Sequence, residues 1–188
     1  ARGARRAGRR CGNVVALRPA LLYSDSRSSR EAAIIERSGR AAELLNHKGA
    51  TSCLAKLAWL EAHEPGALDA CDAVALGAHS FIGAALAAGP RAEDLRRANA
   101  LDMATASTTG CLRRDAAEGE RGRLEYHREA ILEAGLERVL PKLPRLSASY
   151  TEVLGRVSVD EGARSPFAPL EGLPVFMGSG DTASLTVG

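Results

Sequence analysis

Hydrophobic and polar positions follow two periods along this chain, one typical of helices and one typical of strands. Apolar residues recur at helical spacing in SREAAIIERSGRAAELL, in GATSCLAKLAWLEAHEPG, from about Ala78 to Ala88, and in EYHREAILEAGL. Short apolar or alternating runs bounded by turn residues predict strands in NVVALRPALLYSD, EVLGRVSV and LPVFMG. Helices that alternate with short strands favour α/β layers over a helical bundle.

Capping and helix-breaking residues predict several element boundaries. Thr51 or Ser52 caps the helix that carries Trp59, which we expect in the core, and Glu64-Pro65-Gly66 ends it. Gly39 is a weak point of the preceding helix. The hydroxyl-rich ATASTTGCL favours turns, and the prolines of VLPKLPRL exclude a helix there.

Composition sets limits on the class of protein. The chain has 188 residues, 45% of them hydrophobic, which suffices for one substantial core. Aromatic residues make up only 4%, which disfavours a surface that stacks nucleic-acid bases. The net charge is +2, but the first ten residues hold five Arg and no acid, so the remainder sums to 2 − 5 = −3. We therefore expect residues 1–12 to form a disordered Arg-rich tail and residues 13–188 to form the folded domain; a nucleic-acid arm or an organellar import segment is the alternative for the tail.

The cysteines, the histidines and the hydropathy of the chain argue against a disulfide framework, a zinc site and a transmembrane segment. The cysteines are Cys11, Cys53, Cys71 and Cys111. They are widely spaced without a C-x-x-C pair, so we expect a reducing, cytoplasmic environment. The histidines have no zinc-ligand spacing relative to these cysteines, so no metal site is predicted. No apolar run reaches the roughly 18 residues that span a bilayer, so we expect a soluble protein that does not contact membranes.

One polar cluster follows the first predicted strand. Tyr23, Asp25 and Arg27 lie within five residues of each other. The aromatic ring can face a sugar, and the two charged side chains can hydrogen-bond its hydroxyls or pair with each other. A helix-capping turn with a local ion pair explains the same residues equally well.

A second polar cluster follows the last predicted strand, LPVFMG. Gly178 and Gly180 permit positive φ or a close approach of the backbone to a ligand, and Asp181 comes next. Asp181 is therefore a helix cap, part of a phosphate-binding turn, or a catalytic base. The stretch matches neither the Walker loop nor the nucleophile elbow of hydrolases.

The order of these motifs resembles that of the FGGY family of carbohydrate kinases over about residues 13–188. LRPALLYSDSR resembles the family's strand leading into aromatic-x-Asp-x-Arg, and GATSCLAKLAWLEAHEP its Lys-x-x-Trp-Leu helix. LDMATASTTGCL resembles its threonine-rich signature, and GLPVFMGSGDTASLTVG its Gly-x-Gly-Asp segment. LGAHSFIGAALA, LPKL and VLGRVS occupy the places of three further motifs. The resemblance implies an α/β fold: an incomplete actin-like, ribonuclease H-like ATPase domain with a mixed sheet and packed helices.

The same resemblance implies an activity and a set of site residues. Family members transfer the γ-phosphate of ATP, bound with Mg²⁺, to a hydroxyl of a sugar or polyol; the motifs are most similar to xylulokinase-like members, which implies a pentulose. Asp181 matches the catalytic base, and Gly178 and Gly180 belong to the cofactor-binding turn. The matching substrate residues are Tyr23, Asp25, Arg27 and Thr51.

Several motifs of the FGGY family are missing or altered in this sequence, which affects the activity that we expect. Residues 1–188 contain no Asp-x-Gly-Thr strand and no Gly-x-x-His-Gly segment, Leu101 replaces the Thr before Asp102, and Ser80 replaces an Asp in the GAHSF helix. We expect a partial kinase that binds a small-molecule sugar, does not bind nucleic acid, and is inactive by itself. The alternative is a non-catalytic actin-like module that binds a sugar or a partner; a nucleic-acid binder, resting on the Arg-rich start, ranks third.

Overall fold

Short strands and helices alternate along the chain, as the hydrophobic pattern predicts. The structure is a computed structural model, and it describes residues 9–11, 13–114, 125–159 and 166–180. Its α-helices are α1 (Ser29–Arg37), α2 (Cys53–His63), α3 (Pro65–Ala70), α4 (Ala78–Ala87), α5 (Ala92–Ala98), α6 (Met103–Ser107) and α7 (Arg128–Glu133). Segments of 3-10 helix span Arg40–Glu43, Gly49–Thr51, Glu137–Lys142 and Ala168–Leu170.

The strands form pairs rather than one mixed sheet within these described ranges. They are β1 (Arg9–Cys11), β2 (Val14–Ala16), β3 (Ala100–Asp102), β4 (Arg145–Ser147), β5 (Val153–Arg156) and β6 (Pro174–Phe176). β1 pairs with β2 and β5 with β6 in antiparallel register, whereas β3 and β4 are parallel. The fold is therefore α/β, as expected, with its parallel and antiparallel pairings in separate small sheets.

The strand β1 includes residues that composition assigns to a disordered tail. Arg9 pairs with Ala16 and Cys11 with Val14, so backbone hydrogen bonds to β2 order the end of this Arg-rich run. Charge and composition do not reveal such pairing, because it is made by backbone groups that every residue carries. Residues 1–8 and Gly12 lie outside the described residues.

Local backbone chemistry explains where the other elements differ from the predicted ones. The first predicted helix stops at Arg37 because Gly39 takes φ +81°, and a separate 3-10 turn follows. Pro65 ends α2 as expected but also begins α3, because proline fits the first turn of a helix. The segment VLPKLPRL contains Pro141 inside a 3-10 turn, and its end pairs as β4.

The largest cluster of buried side chains holds the first helices against α7 and the turn that follows it. Its buried members include Ile35, Leu54, Leu57, Ile131, Leu136 and Val139. A second cluster joins β3, β5 and β6 through Ala100, Leu154 and Val175. α4 packs closely on β5 because Gly83 has no side chain: a Cβ there would lie 2.8 Å from Leu154 Cδ1. In the part of the chain that the structure describes, no helix has the length and hydrophobicity of a transmembrane span.

Candidate functional site

The first polar cluster lies in the loop that leads from β2 into α1. Asp25 Oδ1 accepts a hydrogen bond of 3.0 Å from the Arg27 backbone N–H, and Arg27 Nη2 lies 2.8 Å from Asp25 Oδ2. Hydrogen bonds from Arg27 lower the pKa of the Asp25 carboxyl, outweighing the opposite effect of burial. Asp25 and Arg27 thus form a local ion pair, and Ser28 makes no side-chain cap of α1.

Tyr23 presents its ring to solvent from a loop that is held at its backbone. The Tyr23 residue is 88% exposed, whereas Lys56 in α2 is only 7% exposed. Lys56 Nζ donates hydrogen bonds to the carbonyl oxygens of Leu22 (2.7 Å) and Tyr23 (3.1 Å). The ammonium group thus fixes the backbone of the loop and leaves the aromatic ring free to contact a ligand.

Trp59 packs beside this loop instead of lying in the core as expected. It is partly exposed, and its ring stacks on His63 with centroids 4.7 Å apart. The guanidinium carbon of Arg27 lies 5.0 Å from the Trp59 ring centroid, within the range of a cation–π contact. Arg27 is therefore held by an acid on one side and an aromatic face on the other.

Thr51 lies next to the start of α1, at the end of the Gly49–Thr51 turn. Ser28 Oγ donates a hydrogen bond of 2.7 Å to the Ala50 carbonyl, which ties this turn to the loop of Asp25 and Arg27. Thr51 itself is exposed, and its hydroxyl donates to the Lys48 carbonyl at 2.9 Å. Ser52, not Thr51, caps α2, accepting a hydrogen bond from Ala55 N–H at 3.3 Å.

The second polar cluster follows β6. Gly178 takes φ +64°, and its N–H donates to the Tyr150 carbonyl at 3.3 Å, so this glycine meets a backbone requirement. Gly180 lies against α6: a Cβ at this position would be 2.6 Å from Thr105 Oγ1. Asp181, the predicted base, lies outside the described residues.

Asp102 is a site residue that the sequence did not single out. It ends β3, is fully buried, and caps α6 by accepting a hydrogen bond from Thr105 N–H at 3.1 Å. The same Oδ1 accepts a 3.1 Å hydrogen bond from Ser179 Oγ, and Oδ2 lies 2.9 Å from His79 Nε2 in α4. The Asp-x-x-Thr spacing could have indicated the cap, but nothing local in sequence indicates a partner 77 residues away.

The charge state of Asp102 follows from these contacts. Burial raises the pKa of its carboxyl, but the hydrogen bonds from Thr105 and Ser179 and the nearby His79 together lower it below its usual range. Asp102 is therefore a buried carboxylate at neutral pH.

Residues 102–110 connect the loop after β6 to the start of α2. At one end Asp102 and Thr105 contact the loop after β6; at the other end the Thr109 carbonyl accepts a hydrogen bond of 2.8 Å from Cys53 N–H. Asn46 Nδ2 also donates to the Ser107 carbonyl at 3.0 Å. α6 and its flanking turn thus hold the start of α2 and the loop after β6 in one framework.

Gly180 is in close contact with a side chain of α6. The space that a side chain of Gly180 would fill is taken by Thr105, not left open for a phosphate. Within the described ranges, no group of three or more His, Cys, Asp or Glu side chains could hold a metal ion. We therefore derive no step through bound Mg²⁺ or ATP.

Comparison with solved structures identifies the fold. The chain superposes on a xylulose kinase from Brucella ovis with a TM-score of 0.62 and 22% identity, covering 89% of this chain and 30% of that one. It superposes on a xylulose kinase from Rhodospirillum rubrum with a TM-score of 0.63 and 24% identity, covering 96% of this chain and 34% of that one. No family model matches the chain, and no curated protein matches it either.

These similarities define a class by its fold. The described residues adopt a fold that is also found in the two xylulose kinases, which confirms at the level of fold the resemblance seen in the sequence motifs. The chain spans about a third of the length of the two kinases that it matches.

Proposed function

We propose that this chain forms the sugar-binding side of a carbohydrate kinase whose acceptor is a pentulose. The observation that supports this most strongly is the fold shared with two xylulose kinases over 89% and 96% of the chain. The order of the sequence motifs supports the same function. The kinase activity of the whole enzyme is likewise a proposal.

The loop before α1 and the turn before α2 are proposed to contact the sugar. Tyr23 has an exposed ring on a fixed backbone, which suits stacking against a sugar face. Asp25 and Arg27 offer acceptor and donor groups, and the exposed Thr51 is tied to the same region through Ser28 and Ala50. Because Arg27 is already paired, its orientation before the sugar binds is set by Asp25 and Trp59.

Asp181 is proposed to act as the general base. A sugar hydroxyl ionises far too weakly at neutral pH to attack unaided, so a carboxylate that accepts its proton speeds the reaction. Mg·ATP, when bound, supplies the phosphoryl group. Asp181 directly follows Gly180, whose position is set by Thr105, and Ser179, which is bonded to Asp102.

An assay of sugar-dependent ADP release tests this function. The product of the complete reading frame that encodes this chain is assayed with ATP, Mg²⁺ and a panel of acceptors: D-xylulose, other pentuloses, hexuloses and glycerol. We expect the highest kcat/KM with a pentulose and a raised KM in Tyr23→Ala. A purified, folded product that phosphorylates none of these acceptors would refute the proposal.

A non-catalytic sugar-binding module is the second candidate. It is favoured by the filled space beside Gly180, where a Cβ would lie 2.6 Å from Thr105 Oγ1. The same preparation separates the two functions, since the module would bind a sugar in calorimetry without any sugar-dependent release of ADP.

A further inference from the structure

Asp102 joins three parts of the chain through one buried carboxylate. Oδ1 accepts hydrogen bonds of 3.1 Å from Thr105 N–H in α6 and 3.1 Å from Ser179 Oγ in the loop after β6. Oδ2 lies 2.9 Å from Nε2 of His79, in the first turn of α4. We refer to Asp102, His79 and Ser179 as the carboxylate bridge.

Helix capping alone does not account for this arrangement. A cap needs one side-chain oxygen, and the hydrogen bond from Thr105 N–H supplies that role. A fully buried carboxylate is costly unless other groups stabilise its charge. Here Ser179 donates a hydrogen bond from another element, and His79 Nε2 lies 2.9 Å from Oδ2 without the geometry of a hydrogen bond. Oδ1 therefore carries both the cap and the bond from Ser179, whereas Oδ2 faces only His79.

The histidine of the bridge is held in a fixed orientation. A Cβ at Gly77 would lie 3.1 Å from Cε1 and 3.2 Å from Nδ1 of His79, so the ring packs directly on the backbone that precedes α4. The His79 side chain is only 18% exposed. The ring therefore lies in contact with both the Gly77 backbone and the Asp102 carboxylate.

The bridge acts on the residues immediately before Asp181. Ser179 is bonded to Asp102, and Gly180 is in such close contact with Thr105 that no Cβ would fit. Gly178 N–H is bonded to the Tyr150 carbonyl, so three consecutive residues are each held by a contact from another element.

We propose that Asp102 and His79 are positioning residues that, through Ser179, hold the loop of residues 178–180, which immediately precedes Asp181 in sequence. This inference rests on the proposed function, in which Asp181 is the base. Asp102 and His79 do not touch the reacting atoms. Both act through the loop of residues 178–180. A displacement of the base by about 1 Å can cost about 100-fold in rate, so this loop needs such support.

The first test reads the loop directly in the 188-residue chain, without any enzymatic assay. Backbone ¹⁵N relaxation gives order parameters for Gly178, Ser179 and Gly180. In the unmodified chain we expect values near 0.85, typical of rigid backbone, and in Ser179→Ala and Asp102→Ser values falling toward 0.6. Asp102→Ser keeps an oxygen for the α6 cap but lacks the second oxygen and the reach to Ser179.

Two further variants separate bridging from simple loss of a polar group. Thr108→Ala removes a hydroxyl that bonds only to the Thr105 carbonyl in the same helical turn, and it should leave the loop rigid. Ser179→Thr retains the hydroxyl and should restore the order parameters that Ser179→Ala loses. Equal order parameters at residues 178–180 in the unmodified chain, Ser179→Ala and Asp102→Ser would overturn the bridge.

The second test is kinetic and uses the product of the complete reading frame. His79→Leu, Asp102→Ser and Ser179→Ala should each lower kcat by about 10- to 100-fold while the KM for the sugar changes less than threefold. A rise in KM with kcat unchanged would contradict a positioning role. If the loop loosens as expected but Asp181→Asn retains normal kcat, the bridge stands and the proposed base is wrong.

Discussion

At the scale of single residues, the structure gives roles to charged side chains that the sequence alone would place on the surface. Lys56 is the clearest example, because its ammonium group is buried in α2 and bonded to two carbonyls of the loop that carries Tyr23. Helical periodicity predicts which face of α2 is apolar, but it cannot show that a loop 33 residues earlier supplies acceptors for a lysine on that face. Tyr23, Asp25 and Arg27 could be selected from sequence because they are adjacent, whereas Asp102 and Ser179 could not.

Replacing Lys56 by Met should destabilise the protein. Met keeps most of the side-chain volume but leaves the carbonyls of Leu22 and Tyr23 without their charged donor, so we expect the free energy of unfolding to fall by about 1.5–3 kcal/mol. Lys48→Met is the matched control, because Lys48 is exposed, and it should change the stability by less than about 0.5 kcal/mol. Urea denaturation followed by circular dichroism gives both values, and equal stability of the two variants would count against the anchoring role of Lys56.

Asp102 should make stability depend on pH in the acidic range. Because its folded-state pKa lies below the unfolded value of about 3.9, its contribution is present above about pH 4 and is lost as the pH falls through the folded pKa. The difference in unfolding free energy between the unmodified chain and Asp102→Asn should therefore shrink as the pH falls below about 4 and through the folded-state pKa. Parallel pH profiles in urea denaturation would show that Asp102 has no such shift.

At the scale of elements, close contacts at glycines decide how helices and turns meet. Gly110 takes φ +66°, and a Cβ there would lie 2.9 Å from Ser52 Cβ and 3.3 Å from His47 Cα. The turn after α6 therefore packs directly on the N-terminal cap of α2. Helix α2 and its cap could be predicted from sequence, since periodicity and a cap residue agree, but the packing of this turn could not, since it depends on residues far apart in the chain.

Two glycine substitutions should have opposite effects. Gly110→Ala places a side chain at positive φ and against Ser52, so we expect a loss of about 1–3 kcal/mol in unfolding free energy. Gly66→Ala lies inside α3 with no atom within 4 Å of the new Cβ, so we expect a gain of about 0.5–1 kcal/mol. Thermal and urea denaturation of the two variants measure the signs, and a Gly110→Ala protein as stable as the unmodified chain would disprove the close packing.

At the scale of the whole molecule, the order of the elements was easier to predict from sequence than their pairing. The alternation of helices and strands predicted an α/β fold, and the motif order indicated the fold that the two xylulose kinases share. Separate two-stranded sheets and the strand made by Arg9–Cys11 were not predicted, because strand partners are chosen by tertiary contacts that no local pattern carries. The same limit applies to the site, in which the loop after β6 meets α4 and α6 through Asp102.

Asp181, which follows the loop after β6 in sequence, is proposed to act as the general base toward a sugar hydroxyl, and the kcat of an Asp181→Asn enzyme tests this role. The variant is made in the product of the complete reading frame and compared with the unmodified enzyme at saturating ATP and pentulose, with Asp72→Asn as a control for loss of an exposed acid elsewhere in the chain. We predict that Asp181→Asn lowers kcat by about 100- to 10,000-fold with a nearly unchanged KM for the sugar, while Asp72→Asn has normal kcat. A normal kcat for Asp181→Asn would contradict the account.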